Sequence, residues 1–319
     1  MNECQLDVLM ITYNHEDYIE EAISGVIKQV TDFNFRLLIF DDYSTDETEE
    51  RIKTMITHNN PNLKIEYHRN NHNIGMMRNG MQSFESVTSP YIAICEGDDY
   101  WVDPFKIQKQ VDFLEKNQNI VLTCGNSITI DENGGLISDS FLIDENVILN
   151  TENIIGNTYY NFIPTASILF RNIINSVFLQ ELKKLKAFDW SLLFLLSIEG
   201  DFYFDKNILS AYRITGKGVS SKLSEVDKIK MSILLYDLFR CHRPEYETII
   251  KHKVDYCFEL IKYIYDRENE TLIHKYETSI EFLKSELVAL EDNISIRRII
   301  ILVLKKIKKK IRINSYVTV

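Results

Sequence analysis

Glycine and proline are scarce in this chain, 11 and 5 in 319 residues. With so few breakers, its elements should be long and its loops short. No apolar run approaches the roughly 18–20 residues that cross a bilayer. The opening stretch, Met1 to Asp7, is polar and acidic and does not read as a secretory signal. Its five cysteines, at 4, 95, 124, 241 and 257, form no CxxC pair. They read as buried reduced thiols of a cytosolic protein. The seven histidines lack ligand spacing, so no zinc site is expected. A general basic excess is missing too. The net charge is −11, and an acidic body speaks against nucleic-acid binding. What positive charge there is gathers at one end, with eight Lys/Arg and no acid from 295 to 319. A 45% hydrophobic content with 11% aromatics argues against disorder and supplies a large core, in one or two domains.

Against that background the string Tyr91-Ile92-Ala93-Ile94-Cys95-Glu96-Gly97-Asp98-Asp99 stands out. A short strand, apolar enough to be buried, ends in two adjacent carboxylates that repel each other. Folding gains nothing from this pair. A divalent cation, or a ligand rich in hydroxyls, would make it favourable.

Aliphatic and β-branched content predicts strands at Leu6–Thr12, Phe35–Phe40, Leu63–Tyr67 and Pro90–Cys95. Helical periodicity fills Glu16–Gln29 and Gly75–Phe84. Ser44-Thr45-Asp46-Glu47 and Asp103-Pro104 look like helix starts. Strands alternating with helices every 25–30 residues predict a mostly parallel, Rossmann-like sheet with helices on both faces. Ligands of such sheets bind at the carboxyl ends of strands. Thr12-Tyr13-Asn14, Asp41-Asp42 and Asp98-Asp99 all stand at those ends. From Ile120 the pattern turns mixed. Strands are predicted at Ile120–Ile130, Leu136-Ile137, Ile163–Phe170 and Phe202–Tyr212, with a short apolar helix at Trp190–Ile198 and Asp189 near its start. Leu223–Asn293 reads as about three helices, broken near Pro244 and near Arg267-Glu268-Asn269.

Several of these segments resemble, in order, those of the family 2 glycosyltransferases, the inverting group with the GT-A fold. Leu9-Met10-Ile11-Thr12-Tyr13-Asn14 resembles the opening strand and turn. Phe40-Asp41-Asp42-Tyr43-Ser44-Thr45-Asp46-Glu47-Thr48 is similar to the DDGSTDxT segment. Asn73-Ile74-Gly75 with Arg78-Asn79 resembles the NxG…RN segment. Glu96-Gly97-Asp98-Asp99 resembles the DXD-type metal motif. Ala187-Phe188-Asp189-Trp190 stands where the family has its catalytic base. Tyr212-Arg213, with Gly216 and Ser220, resembles a late gating loop. The resemblance covers residues 5–220. Three departures stand out: Tyr43 where Gly is usual, Phe188 where a second acid is frequent, and Thr215 where His is common.

The resemblance implies a GT-A domain over 1–222, with a nucleotide-binding half (1–119) and an acceptor-binding half (120–222). A helical appendage (223–294) and a basic amphipathic tail (295–319) follow. Thr12, Tyr13, Asn14, Asp42, Arg78 and Asp98 would bind the nucleotide, Tyr13 by stacking and Asp42 by accepting an imide N–H. Asp98 would meet the ribose hydroxyls and Asp99 would hold Mg²⁺ or Mn²⁺. Asp189 would be the general base. Arg213 would steady the leaving diphosphate. Local readings stand beside these: Asp189 as an N-cap, Arg78 paired with an acid, Trp101 either lining the acceptor cleft or buried in the core.

The implied donor is a nucleoside diphosphate sugar, a UDP-sugar foremost. The implied acceptor is a saccharide, lipid-linked, in capsule or another surface polysaccharide. The tail suits an interfacial helix on anionic lipid, which places the enzyme in the cytoplasm at the inner membrane face. Packing of that tail on the protein, and self-association, stay open. Two rivals remain. A nucleotidyltransferase would carry a Gly-rich basic loop after the first strand, where Asn14-His15-Glu16-Asp17 stands here. A non-catalytic nucleotide-sugar-binding protein would not need both Asp99 and Asp189.

Overall fold

The computed structural model describes residues 4–57, 60–139, 143–156, 162–183, 188–216 and 224–268. The chain divides into two compact units at the junction of Ser224 and Glu225.

The first unit is built on one ten-stranded sheet. Its strands are β1 (Leu6–Thr12), β2 (Phe35–Asp41), β3 (Leu63–Arg69), β4 (Tyr91–Ile94), β5 (Tyr100–Trp101), β6 (Ile120–Asp131), β7 (Leu136–Ser138), β8 (Val147–Leu149), β9 (Leu169–Arg171) and β10 (Asp201–Ile214). The order is β3-β2-β1-β4-β9-β6-β10-β5, with β7 on β6 and β8 on β10. Strands β1 to β4 pair in parallel. β9 lies antiparallel between β4 and β6, and β10 runs parallel to β6. The chain moves outward from β1 to β2 and β3, then returns to place β4 on the other side of β1. That reversal opens a crevice at the carboxyl ends of β1 and β4.

The helices are α1 (Ile19–Ile27), α2 (Thr48–Met55), α3 (Met76–Glu85), α4 (Lys106–Lys116), α5 (Thr151–Gly156), α6 (Ser176–Lys183) and α7 (Phe188–Glu199). Alternate residues of β1 and β2 (Leu6, Val8, Met10, Phe35, Leu37, Ile39) join Ile19, Ile23 and Val26 of α1, Ile52 of α2 and Ile107, Val111 and Leu114 of α4 in one buried cluster. α3 packs on β1 and β2 without entering that cluster, so both faces of the sheet are covered. α7 is buried almost all round, from Trp190 to Ser197, as its uniformly apolar sequence requires.

Most expected elements form within a few residues of their expected bounds. Ile163–Phe170 differs. Pro164 has no N–H to give a ladder, and both the N–H and the hydroxyl of Ser167 bond to its carbonyl, at 2.9 and 2.7 Å. A 3-10 turn over Thr165–Ser167 results, and the strand is only Leu169–Arg171. Trp101 is buried, its indole N–H bonding Ala166 O at 2.7 Å, so it is a core residue.

The second unit contains α8 (Glu225–His242), a 3-10 turn at Pro244–Tyr246, and α9 (Glu247–Glu268). Ile229, Ile233, Tyr236 and Phe239 of α8 and Ile250 and Cys257 of α9 are buried. The expected third helix and the basic tail lie outside the described residues.

Candidate active site

Three loops meet at the crevice, and the backbone stitches them together. Thr12 O accepts the Asp42 N–H at 2.9 Å, and Ile11 O accepts the Gly97 N–H at 3.1 Å. Gly97 is needed for this approach. A Cβ there would stand 2.7 Å from Thr12 Oγ1 and 2.9 Å from His15 Nδ1. Both of those atoms are buried and have no hydrogen-bond partner. Thr12 therefore lies beneath the loop junction rather than on its surface. Asn14 takes a left-handed turn (φ 54°), its N–H bonds Ser44 Oγ at 2.9 Å and its amide oxygen accepts the Thr45 N–H at 2.8 Å. Tyr13 between them is exposed.

The adjacent Asp41 and Asp42 diverge. Asp41 turns into the protein, accepting the Ser44 N–H and hydroxyl at 2.8 and 2.6 Å and the Tyr67 hydroxyl at 2.9 Å. Asp42 accepts from Asn70 Nδ2 at 2.9 Å and from the N–H groups of Ile74 and Gly75, each at 2.8 Å. Asp42 is buried, and three of the roughly four acceptor positions of its carboxylate are filled, which fixes its plane and leaves about one unfilled. One turn into α3, Asn79 is buried and bonds Phe40 O at 2.8 Å. Its neighbour Arg78 is exposed and makes no ion pair among the described residues.

The acidic loop after β4 forms the opposite wall. Asp99 is buried, and Oδ1 accepts the Arg213 N–H at 2.8 Å. Burial, then the charges of Asp98 and Glu96, raise its proton affinity well above the usual carboxylate range. Burial likewise pushes Glu96 up to about 8, helped by Asp98 and by Asp189. Asp189 thus lies within electrostatic reach of Glu96 although 93 residues separate them in the chain. It occupies the first turn of α7, where a negative charge suits the helix dipole. Its neighbour Phe188 stacks on Phe84 (centroids 5.4 Å apart) and fills the notch over Gly80, where a Cβ would stand 2.9 Å from the ring.

Arg213 was expected to meet phosphate, but its guanidinium is held inside the protein. Nη2 bonds Glu21 Oε2 at 2.6 Å, Nε bonds Asp98 O at 3.0 Å, and Nη1 bonds Asp131 O at 3.3 Å. The Tyr18 ring lies beneath it, 4.7 Å away. The arginine clamps the acidic loop through its carbonyl and through Asp99. Of the expected site residues, Asp98, Asp99 and Asp189 share one electrostatic cluster, Tyr13 and Asp42 stand at the adjacent strand ends, and Thr12, Asn14 and Arg213 are engaged by the protein itself.

Sequence reasoning gave no role to Glu96, although it opens the acidic string, nor to His15, whose Nε2 is 3.8 Å from Asp98 Oδ2. No group of three or more His, Cys, Asp or Glu among the described residues is arranged as a metal cage. The donor set still suits a hard cation. Buried carboxylate oxygens that raise one another's proton affinity are relieved by one, and Mg²⁺ typically takes one or two protein carboxylates and completes its shell with phosphates and water.

Residues 7–184 match the family model described as Glycosyl transferase family 2. An uncharacterized protein of Mycobacterium tuberculosis is 33% identical over 166 residues, 52% of this chain and 46% of its own. The chain therefore spans about half the length of that curated relative. Among solved structures, S. aureus TarS (residues 1–349) in complex with UDP-GlcNAc superposes with a TM-score of 0.56 at 16% identity, over 75% of this chain and 66% of that one. The mannosyltransferase PcManGT from Pyrobaculum calidifontis, in complex with GDP-Man and Mn²⁺, gives 0.56 at 13% identity, over 82% and 72%. At these identities the likeness is one of fold.

Proposed function

The chain belongs to glycosyl transferase family 2, and from that premise we propose that it moves one sugar from a nucleoside diphosphate sugar to an acceptor hydroxyl with inversion. The fold is of the GT-A type. The observation that carries the reading is the meeting of Asp98, Asp99 and Glu96 with Asp189 from a distant helix, beside the loop that presents Tyr13 and Asp42.

In this reading the nucleobase stacks on Tyr13 and gives its imide N–H to the remaining acceptor position of Asp42. Asp98 takes the ribose hydroxyls. Asp99 would hold Mg²⁺ or Mn²⁺, which when bound neutralises charge developing on the diphosphate. Arg78, exposed in the first turn of α3 after Gly75, is assigned to phosphate. Arg213 holds the acidic loop in place. Asp189 takes the proton of the acceptor hydroxyl as that oxygen bonds to the anomeric carbon, and the bond from that carbon to the diphosphate breaks with its electron pair leaving on the diphosphate. A single displacement inverts the centre. We assign the acceptor to a lipid-linked saccharide of a surface polysaccharide, a reading supported by the basic segment 295–312.

The test is turnover of a panel of UDP- and GDP-sugars with Mn²⁺. Asp189→Asn should lose at least about 100-fold in kcat while still binding the nucleoside diphosphate. Full turnover in that variant would remove Asp189 as the base. Chelation with EDTA should weaken UDP binding about tenfold or more, read by titration calorimetry.

A further inference from the structure

Among the described residues only Asn14 and Tyr43 combine a side chain with a left-handed backbone, at φ 54° and 63°. They are neighbours across the sheet. Thr12 pairs with Asp41, so Asn14 and Tyr43 occupy matching positions two residues beyond that pair. Asn tolerates this region, and the loop contacts of Asn14 account for it. Tyr43 is different. A bulky residue there carries backbone strain that glycine would not.

The strain does not serve the turn, because other residues already fix it on both sides. Before Tyr43, the Asp42 N–H is bonded to Thr12 O. After it, Ser44 is bonded through its N–H and hydroxyl to Asp41, and through its carbonyl to Arg69 Nη2 at 2.8 Å. What the position gains is an aromatic ring. Arg69 lies over that ring at 4.5 Å and is itself tied to Asp41 at 3.3 Å and Glu49 at 3.0 Å. The ring is therefore braced, yet 39% exposed. It follows directly on Asp42, and Tyr13, 42% exposed, directly precedes it across the strand pair.

We infer that the braced Tyr43 ring is a second aromatic contact for the donor's nucleobase, acting beside Tyr13 and Asp42 and setting nucleotide preference. The inference rests on the nucleobase reading of Asp42. Aromatic contact with a base contributes about 1–3 kcal/mol, enough for a tenfold effect on affinity.

Binding of UDP and of GDP, with Mn²⁺ present, is measured by titration calorimetry on the full chain, with the melting temperature of the free protein recorded alongside. Tyr43→Gly should melt at or above the wild-type temperature, because the backbone relaxes, yet bind its preferred nucleotide about tenfold more weakly. Tyr43→Asn, which also accepts the left-handed turn but has no ring, should weaken binding equally, and Tyr43→Phe should keep wild-type affinity. A Tyr43→Gly or Tyr43→Asn protein with a Kd within twofold of wild type overturns the inference. If Asp42→Ala weakens binding while both ring deletions are neutral, only the role of Tyr43 falls. If wild type binds neither nucleotide, the underlying site reading falls.

Discussion

Asp7 and Lys106 show what buried charge does in this protein away from the chemistry. Asp7 accepts Arg36 Nε and Nη2, each at 2.8 Å, the N–H groups of Thr88 and Ser89 at 2.9 and 3.0 Å, and the Ser89 hydroxyl at 2.8 Å. Burial pushes its carboxyl up, but Arg36 and these donors outweigh it and hold the group below its ordinary value of 3.8. A depressed carboxylate contributes stability that is present above its unfolded value and disappears as pH falls through the folded one. Asp7→Ala should thus lower the unfolding free energy by about 3–5 kcal/mol at neutral pH, and the gap to wild type in urea titrations should narrow in acid. Lys106 has the opposite sign. It is wholly buried, with Gln110 Oε1 (2.9 Å) and the Trp101 ring (4.3 Å) beside its ammonium, and burial, only partly offset by Cys95, Asp103 and Cys124, pushes it down to about 7. The unfolded chain binds this proton more tightly, so stability rises with pH between about 7 and the ordinary 10.5. Lys106→Met should stabilise the fold by about 1–4 kcal/mol. Its advantage in melting temperature should be largest at or below pH 7 and shrink towards pH 10.

At the level of elements, the proposed base depends on a helix-to-helix notch. α7 carries Asp189, and Phe188 seats it against Gly80 and Phe84 of α3. A methyl at Gly80 would stand 2.9 Å from Phe188 Cζ, so the ring and the carboxylate next to it must shift. Gly80→Ala should lower kcat about 10- to 100-fold, since small misplacements of a reacting group are costly. UDP affinity should change far less than kcat, because Phe188 meets Gly80 on the side of α3 facing α7 while Tyr13 and Asp42 stand on other elements; steady-state kinetics paired with calorimetry separates the two. This notch also marks where sequence reading stops. β1, β2 and β4 were legible because each is a short aliphatic run closed by polar residues, and the acids at their ends pointed to the crevice. Strands β5 and β8, two and three residues long, were not, because only pairing with β10 defines them. The partner of Arg213 was hidden as well: Glu21 lies 192 residues away, and nothing local tells a phosphate-binding arginine from one that clamps a loop. Tyr43 was visible as an odd residue at a glycine position, but its strain appears only in the backbone angle.

Across the whole molecule, charge is segregated. The net charge is −11, yet the stretch 295–319 carries eight Lys/Arg and no acid, with the apolar run Ile299–Leu304 beside them. Every residue assigned to the chemistry lies in Met1–Ser224, so the basic stretch is free to serve location rather than catalysis. No described helix is long and apolar enough to cross a membrane. Surface attachment is the role its composition suits. Each basic residue near an anionic bilayer adds about 1 kcal/mol, and that attraction decays within a Debye length. The full chain should pellet with vesicles containing anionic phospholipid at about 0.1 M salt and be released near 1 M. A 1–294 truncation should remain in the supernatant at both salt concentrations. The same truncation should show the full-length rise in melting temperature with UDP and Mn²⁺, because the residues proposed to bind them are retained. Equal pelleting of the two proteins would exclude the tail as a membrane anchor and leave the transferase assignment standing. Loss of the nucleotide response on truncation would instead mean that the tail supports the site.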